Sequence, residues 1–257
     1  MARIGFLGTG AIAAAMVRGI AQDGHRILVS DRGRDHAATL SSAFENVEIA
    51  SNLDLVAESE IVVLCLMAET ARSVLPTLPF RTGQQVISVM LSVDHAALTK
   101  LCAPAKDIAI TIPLPFVAEG GCPLPVWPDA SAVETVFGQR NPVIALPSEA
   151  ALNPHFAATA LSSVVLAQMA VTTRWLSNLT GDEKGAEAYV VAMLGGFLGS
   201  LPTDGAGRID EAIAALDTEG GLNQTLRERM RAEGSYDALE AGLDAFRERL
   251  GLPEKRT

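Results

Sequence analysis

Gly8-Thr9-Gly10-Ala11-Ile12-Ala13 is the first group of residues whose types and spacing suit a chemical task. It fits G-x-G-x-x-A, in which the first glycine permits a tight turn and the second lets backbone approach a pyrophosphate. The small third position lets a helix pack close to a strand. Free N–H groups at the start of the following helix, at Ala11 and Ile12, then face the anion. The motif follows a strand pattern, opens a helix pattern and precedes a second strand pattern, which is the context it requires. About twenty residues on, Ser30-Asp31-Arg32-Gly33-Arg34 follows that second strand. An acid here would bind a ribose hydroxyl and favour NAD, whereas arginine would accept the 2′-phosphate of NADP. Both types are present, and Ser30, Arg32 and Arg34 together offer several phosphate donors. The expected cofactor is NADP(H), with NAD left open.

A second group lies late in the chain, at Thr218-Glu219-Gly220-Gly221-Leu222-Asn223-Gln224-Thr225-Leu226. Gly220 and Gly221, standing before a helix pattern, could offer N–H groups to a carboxylate, with Asn223 and Thr225 as side-chain donors. Glu219 works against that, because it repels an acid and attracts an iminium or amine. The same glycines also suit a plain turn between two helices. Cys65, Cys102 and Cys122 show no C-x-x-C spacing and read as reduced thiols, neither a disulfide framework nor a zinc site. His25, His36 and His95 read as exposed turn or helix-start residues, and His155 as a cap or surface residue.

The elements that must position these groups follow from periodicity. Strands are expected at 3–8, 26–30, 47–49, 61–66, 85–89, 107–112 and 143–146, with helices at 11–22, in the segment after 33, at 52–58 and at 94–101. Alternation at this spacing means a doubly wound α/β domain with a parallel sheet covered on both faces. After Glu149 only helical patterns remain. A long helix is expected from Asn153-Pro154 to about Asn178, then 183–201, 210–216, 222–233 and 236–250. The division is therefore 1–148, a Rossmann cofactor domain, and 149–257, a helical dimerisation and substrate domain. Residues after Leu252 read as a tail.

With 257 residues, 49% hydrophobic and 19% charged, the chain has the composition of a globular protein. Its net charge of −10 and scattered Lys and Arg argue against nucleic acid as a partner. Phe156 to Thr173 carries no formal charge but holds Ser162, Ser163 and Gln168. It reads as a helix buried within the protein, above all at a subunit interface, not as a membrane span. With no targeting signal at the start, the expected location is cytoplasmic.

From Arg3 to Leu250 the chain resembles the pyrroline-5-carboxylate reductase family. Ile4-Gly5-Phe6-Leu7-Gly8-Thr9-Gly10-Ala11-Ile12 resembles its first strand and turn, and Val86-Ile87-Ser88-Val89 its strand near the nicotinamide. Thr218 to Leu226 stands where that family carries a Pro-Gly-Gly-Thr-Thr loop that holds the substrate. The chain departs from the family at Leu66-Met67-Ala68-Glu69, Met90-Leu91, Ile112-Pro113-Leu114-Pro115 and Leu161-Ser162-Ser163, and the loop keeps both glycines but not the threonines. The resemblance implies an NADPH-dependent reductase of a small cyclic imine, in proline biosynthesis for the family. It implies a dimer paired through the helical domain, each active site completed by its partner. Gly8, Gly10, Ala11, Ile12, Ser30 and Arg32 would hold the cofactor, with Met67 and Ala68 on its adenosine or pyrophosphate side and Pro113 near the nicotinamide. Gly220, Gly221, Asn223 and Thr225 would face the substrate, the last two in catalytic places.

Two other readings share this plan. A β-hydroxyacid dehydrogenase of the 3-hydroxyisobutyrate type needs a base for the alcohol proton, typically a lysine on the long helix. Residues 153–178 hold no lysine, Arg174 is the only basic side chain there after His155, and Lys184 lies just beyond. The other is a dimeric NADP-binding protein without turnover.

Overall fold

Short β-branched runs alternate with helical repeats through the first half of the chain, and they fold as a sheet with helices on both faces. The computed structural model describes residues 1–254, so positions 255–257 of the expected tail lie outside the described residues. The chain divides into two compact units, Met1–Phe156 and Ala157–Thr257.

The first unit runs β1 (Arg3–Leu7), α1 (Ala11–Ile20), β2 (Arg26–Ser30), α2 (Arg34–Ala43), β3 (Val47–Ala50), α3 (Asn52–Glu58) and β4 (Ile61–Leu64). It continues with α4 (Ala68–Val74), β5 (Gln85–Ser88), α5 (His95–Leu101), β6 (Asp107–Thr111), β7 (Leu124–Trp127), α6 (Ser131–Phe137), β8 (Val143–Ala145) and most of α7 (Leu152–Ala158). The eight strands lie in the order β3-β2-β1-β4-β5-β6-β7-β8. The first six are parallel, while β7 runs antiparallel to β6 and parallel to β8.

Strand alternation splits the core into two layers. Ile4, Phe6, Ile61, Val63, Ile87 and Ala109 meet α1 and α6 on one face. Leu7, Val62, Leu64, Val86, Ile108 and Ile110 meet α3, α4 and α5 on the other. Each such large side chain, fully buried, contributes about 1.5–3 kcal/mol, so this sheet is a rigid platform for whatever its loops carry. Caps fix the helix starts: Ser51 accepts from the Asp54 N–H at 3.2 Å and Asp94 from the Ala97 N–H at 2.7 Å.

Several elements differ from the sequence reading. β7 is hidden in sequence because Pro125 interrupts a four-residue run, and proline weighs against a strand. The helices α4 and α6 are as short as α3 and α5 but have no side-chain cap to mark their starts, as Ser51 and Asp94 do for those two. His95 does start a helix but is half-buried. Its Nε2 lies 3.2 Å from the Ile108 carbonyl, and its ring meets Trp127 edge-on with centroids 5.1 Å apart. His25 is likewise half-buried, accepting from the Ala2 N–H at 3.2 Å. Burial and the nearby N-terminal amine hold its pKa below the ordinary value.

The second unit is helical: α8 (Leu161–Thr180), α9 (Glu183–Ser200), α10 (Arg208–Ala215), α11 (Leu222–Ala232), α12 (Ser235–Asp244) and α13 (Phe246–Leu250). The long helix expected from Asn153 is broken. A 3-10 turn at Glu149–Ala151 leads into α7, Pro154 sits in the first turn of α7 where it displaces no hydrogen bond, and i→i+3 bonds at Ala160 and Ser162 separate α7 from α8. The last helix is broken as well, at Ala245 between α12 and α13. The run Glu149–Thr180 is long and apolar enough to cross a membrane by length and composition, yet only 6% of its apolar window is buried. The burial expected for this segment is therefore not found within the chain: α8 buries no residue, and Leu166, Val171, Trp175 and Leu179 are exposed.

Candidate functional site

The carboxyl ends of β1, β2, β4, β5 and β6 share one edge of the sheet because these strands are parallel. Between β1 and β4 the order reverses, since β2 lies on the other side of β1, and such a switch point leaves a crevice for a ligand. The glycine turn occupies it. Gly8 has φ +96°, and a Cβ there would come within 2.5 Å of the Cys65 carbonyl oxygen, so no other residue suits this turn. Its N–H donates to the Ser30 hydroxyl at 2.9 Å. Thr9 donates its hydroxyl to the Ser30 carbonyl at 2.8 Å, and the Thr9 N–H reaches the Arg32 carbonyl at 3.3 Å.

Gly10 differs from Gly8. Its φ of −89° is open to any residue, yet a Cβ there would meet no atom within 4 Å. It caps α1 with no side-chain bond, and α1 carries no acid in its first turn. The position is thus open where a pyrophosphate must come close, and the N–H groups of Ala11 and Ile12 begin a helix whose positive end is unopposed. Ala13 and Ala14 are fully buried, which is how the helix start sits against the sheet. These residues fit a dinucleotide phosphate.

Ser30 needs correction as a direct phosphate donor. It is buried and engaged with Gly8 and Thr9, so it shapes the turn from beneath. Arg32 and Arg34 are exposed beyond the end of β2, as a 2′-phosphate receptor requires. Gly33 between them was missed by sequence reading. A side chain there would strike the Thr9 carbonyl, so the loop bearing the arginines is clamped onto the glycine turn. Met67 is 79% exposed after β4, Ala68 opens α4 half-buried, and Pro113 stands half-buried two residues after β6.

In the second unit, a cavity of about 660 Å³ is lined by Val164, Gln168 and Thr172 of α8, by Asn223, Leu226, Arg227 and Met230 of α11, and by Tyr236 of α12, with Ala167 and Val171 completing its wall. Asn223, Leu226, Arg227 and Met230 share a helix face at spacings of three and four. Asn223 is therefore placed on the cavity. Thr225 is off that face and is not among the residues lining the cavity.

The expectation that Gly220 and Gly221 offer free N–H groups is also corrected. The Gly220 N–H donates to Gln224 Oε1 at 3.2 Å and the Gly221 N–H to the Thr218 carbonyl at 2.8 Å. Gln224 is itself held by Glu228, at 3.0 Å from its Nε2. Gln224 lies three residues after the cap Gly221, yet it reaches the N–H of the residue before that cap, so the bond differs from the usual reach-back pattern. Arg227 binds both oxygens of Asp217, at 2.5 and 2.6 Å, and its Nε is buried without a partner among the described residues. This pair holds the Asp217 carboxyl below its ordinary pKa, chiefly through the hydrogen bond.

The cysteines are free thiols, and burial pushes each of their pKa values up, that of Cys102 to about 12. Among the described residues, no group of three His, Cys, Asp or Glu is arranged to hold a metal. His155 is exposed, with Nδ1 2.7 Å from the Ala151 carbonyl, and Lys184 is exposed in the first turn of α9.

Comparison with known proteins bears on both units. Residues 3–92 match the family model described as NADP oxidoreductase coenzyme F420-dependent. A pyrroline-5-carboxylate reductase of Pseudomonas aeruginosa is 25% identical over 116 residues, covering 43% of this chain and 42% of that protein. The matched stretch thus spans less than half of that relative. The structure of a pyrroline-5-carboxylate reductase from Coxiella burnetii superposes with TM-score 0.82 at 18% identity, covering 97% of each chain. That of Plasmodium falciparum pyrroline carboxylate reductase with NADP bound does so with TM-score 0.78 at 13% identity, again over 97% of each. At these identities the structural likeness is one of fold. The resemblance read from the sequence is borne out at the level these matches reach: the chain has the Rossmann-plus-helical fold of the pyrroline-5-carboxylate reductases, and residues 3–92 are similar to the NADP oxidoreductase family model.

Proposed function

We propose that this chain is an NADPH-dependent reductase of a small cyclic imine, similar to the pyrroline-5-carboxylate reductases. The observation that carries the reading is the Gly10 position, open above an uncapped α1 and braced by Thr9, Ser30 and Gly33 at the switch point of the sheet. The match of residues 3–92 to NADP oxidoreductases supports the same cofactor, and the full-length fold likeness supports the substrate type. The reading places a reductase in a reducing cytoplasm, in keeping with three unpaired thiols.

Bound NADPH supplies the hydride. Gly8 sets the turn, Gly10, Ala11 and Ile12 receive the pyrophosphate, and Arg32 pairs with the 2′-phosphate, joined by Arg34. Met67 and Ala68 border the adenosine or pyrophosphate side and Pro113 the nicotinamide. Asn223, beside the Gly220-Gly221 turn, orients the substrate in the second unit. Imine reduction suits this residue set because the nitrogen is readily protonated, so the protein chiefly positions the reactants and needs no alcohol base. We further propose that two copies pair through the helical unit, since α8 and α9 carry exposed Leu166, Val171, Trp175, Tyr189, Met193 and Phe197.

The test is NADPH oxidation by the purified protein on a panel of cyclic imines, with NADH in parallel. Turnover with a preference for NADPH is expected. Nucleotide binding without oxidation of any imine would refute the assignment and favour a binding protein that does not turn over.

A further inference from the structure

Thr9 is 2% exposed, so it stands beneath the glycine turn and its side chain has no surface to offer a nucleotide. Yet three positions of the loop that carries the arginines rest on it. The Ser30 carbonyl accepts from its hydroxyl at 2.8 Å, the Arg32 carbonyl accepts from its N–H at 3.3 Å, and a Cβ on Gly33 would strike its carbonyl oxygen. Residue 9 therefore fixes where the end of β2 stands relative to the turn. Gly33 passes that placement to α2, whose first bond runs from the Ala37 N–H to the Gly33 carbonyl at 3.1 Å.

The hydroxyls of Thr9 and Ser30 form a chain in which each proton has one destination. The Gly8 N–H donates to Ser30 Oγ at 2.9 Å. The single proton of the Thr9 hydroxyl goes to the Ser30 carbonyl, so in the 3.2 Å contact between the two hydroxyls Ser30 is the donor. Ser30 is 1% exposed, and solvent cannot replace a missing link. Valine at position 9 would keep the shape and break two links at once, leaving the Ser30 proton without its acceptor. A methyl group also stands about 3.3–3.6 Å from an oxygen, against 2.8 Å for the hydroxyl. The end of β2 must then withdraw by roughly half an ångström.

The two nicotinamide cofactors would feel that withdrawal unequally. The pyrophosphate of either one meets Gly10 and the start of α1, which belong to the turn. The 2′-phosphate belongs to NADPH alone and needs Arg32, which travels with β2. Resting on the cofactor assignment above, we infer that Thr9 is a positioning residue for cofactor choice: the hydrogen-bond chain from Gly8 through Ser30 to Thr9 holds Arg32 where the 2′-phosphate requires it, so the preference for NADPH over NADH depends on a hydroxyl that touches neither.

The experiment measures by fluorescence titration the dissociation constants of NADPH and NADH for the parent, Thr9→Val and Thr9→Ser, with thermal melts of each protein without nucleotide. The ratio of the NADH constant to the NADPH constant should fall at least about fivefold in Thr9→Val, approaching the roughly tenfold that a lost charged contact is worth. Thr9→Ser, which restores the hydroxyl, should keep the parent ratio. A merely structural role would lower the melting temperature and weaken both nucleotides by one factor, and an unmoved ratio in Thr9→Val overturns the inference. A ratio lost equally in Thr9→Ser overturns it too. In the Arg32→Ala background the ratio should be indifferent to residue 9, because Thr9 acts through Arg32; an undiminished effect there also overturns it. If Thr9→Val does not fold, Ser30→Ala breaks the same chain at Gly8 and is read by the same ratio, with the same fall expected and an unmoved ratio again decisive against. A parent that binds both nucleotides without preference overturns this inference alone, whereas a parent that binds neither refutes the cofactor assignment and the inference with it.

Discussion

Replacing Gly10 by alanine separates cofactor binding from folding in a way that few glycine substitutions allow. The added methyl meets nothing within 4 Å, and φ −89° is a conformation alanine adopts freely. Gly→Ala at a compatible site stabilises by about 0.4–1 kcal/mol through the unfolded chain, whereas alanine is a poorer helix N-cap than glycine by a similar amount. The two nearly cancel, so Tm should stay within roughly 3 °C of the parent for a chain of this size. Binding is another matter. The methyl fills the space that a pyrophosphate must enter, and losing two charge-assisted bonds to backbone N–H groups costs about 3–6 kcal/mol. NADPH affinity should therefore fall at least about a hundredfold. The assay is a fluorescence titration of NADPH against both proteins, paired with thermal melts without nucleotide. Gly8→Ala is the contrast: with φ +96° and a carbonyl oxygen 2.5 Å from the new Cβ, it should lose several degrees of Tm before any nucleotide is added. An unchanged NADPH affinity in Gly10→Ala would refute the assignment of this turn to the cofactor.

Arg32→Ala should reduce the preference for NADPH over NADH by about tenfold or more, by loss of a charged phosphate contact, read from kcat/KM with each nucleotide. Unaltered preference would transfer the role to Arg34. The Asp217–Arg227 pair should make stability sensitive to acid. Its folded carboxyl titrates below the unfolded value, so the contribution is present above about pH 4 and is lost as pH falls through the depressed value. Thermal melts of Asp217→Asn and parent should differ at pH 7 and converge once the pH has fallen through the depressed value of the carboxyl. A difference that persists there would mean the pair acts through packing instead of charge. Trp175→Glu on the exposed face of α8 should convert a dimer to monomers in light scattering, because burying an unpaired charge in an apolar interface costs several kcal/mol. A monomeric parent protein would remove the premise.

What the sequence discloses depends on how local its cause is. The turn from Gly8 to Ala13 is legible because both its conformation and its task lie within six residues, and the sheet is legible because each buried strand repeats its apolar pattern on its own. The strand β7 is not, since its pairing with β6 overrides Pro125, a non-local fact. Ser30 shows the same limit at the site. Its residue type suits a phosphate donor, and only the approach of Gly8 and Thr9, more than twenty positions away in sequence, assigns it to the turn. The Gly220-Gly221 turn is the instructive case. Its two glycines suggest an anion receptor when read alone, and only the structure shows that Gln224 takes the Gly220 N–H and the Thr218 carbonyl the Gly221 N–H. The Arg227–Asp217 pair spans ten residues with no helical register to announce it, so the neutralised cation in the cavity is visible only in three dimensions. The charge that a cavity presents is set by such pairings more than by its list of residues. For that reason a family resemblance can give the fold correctly while the bonds around a turn must be read from the structure.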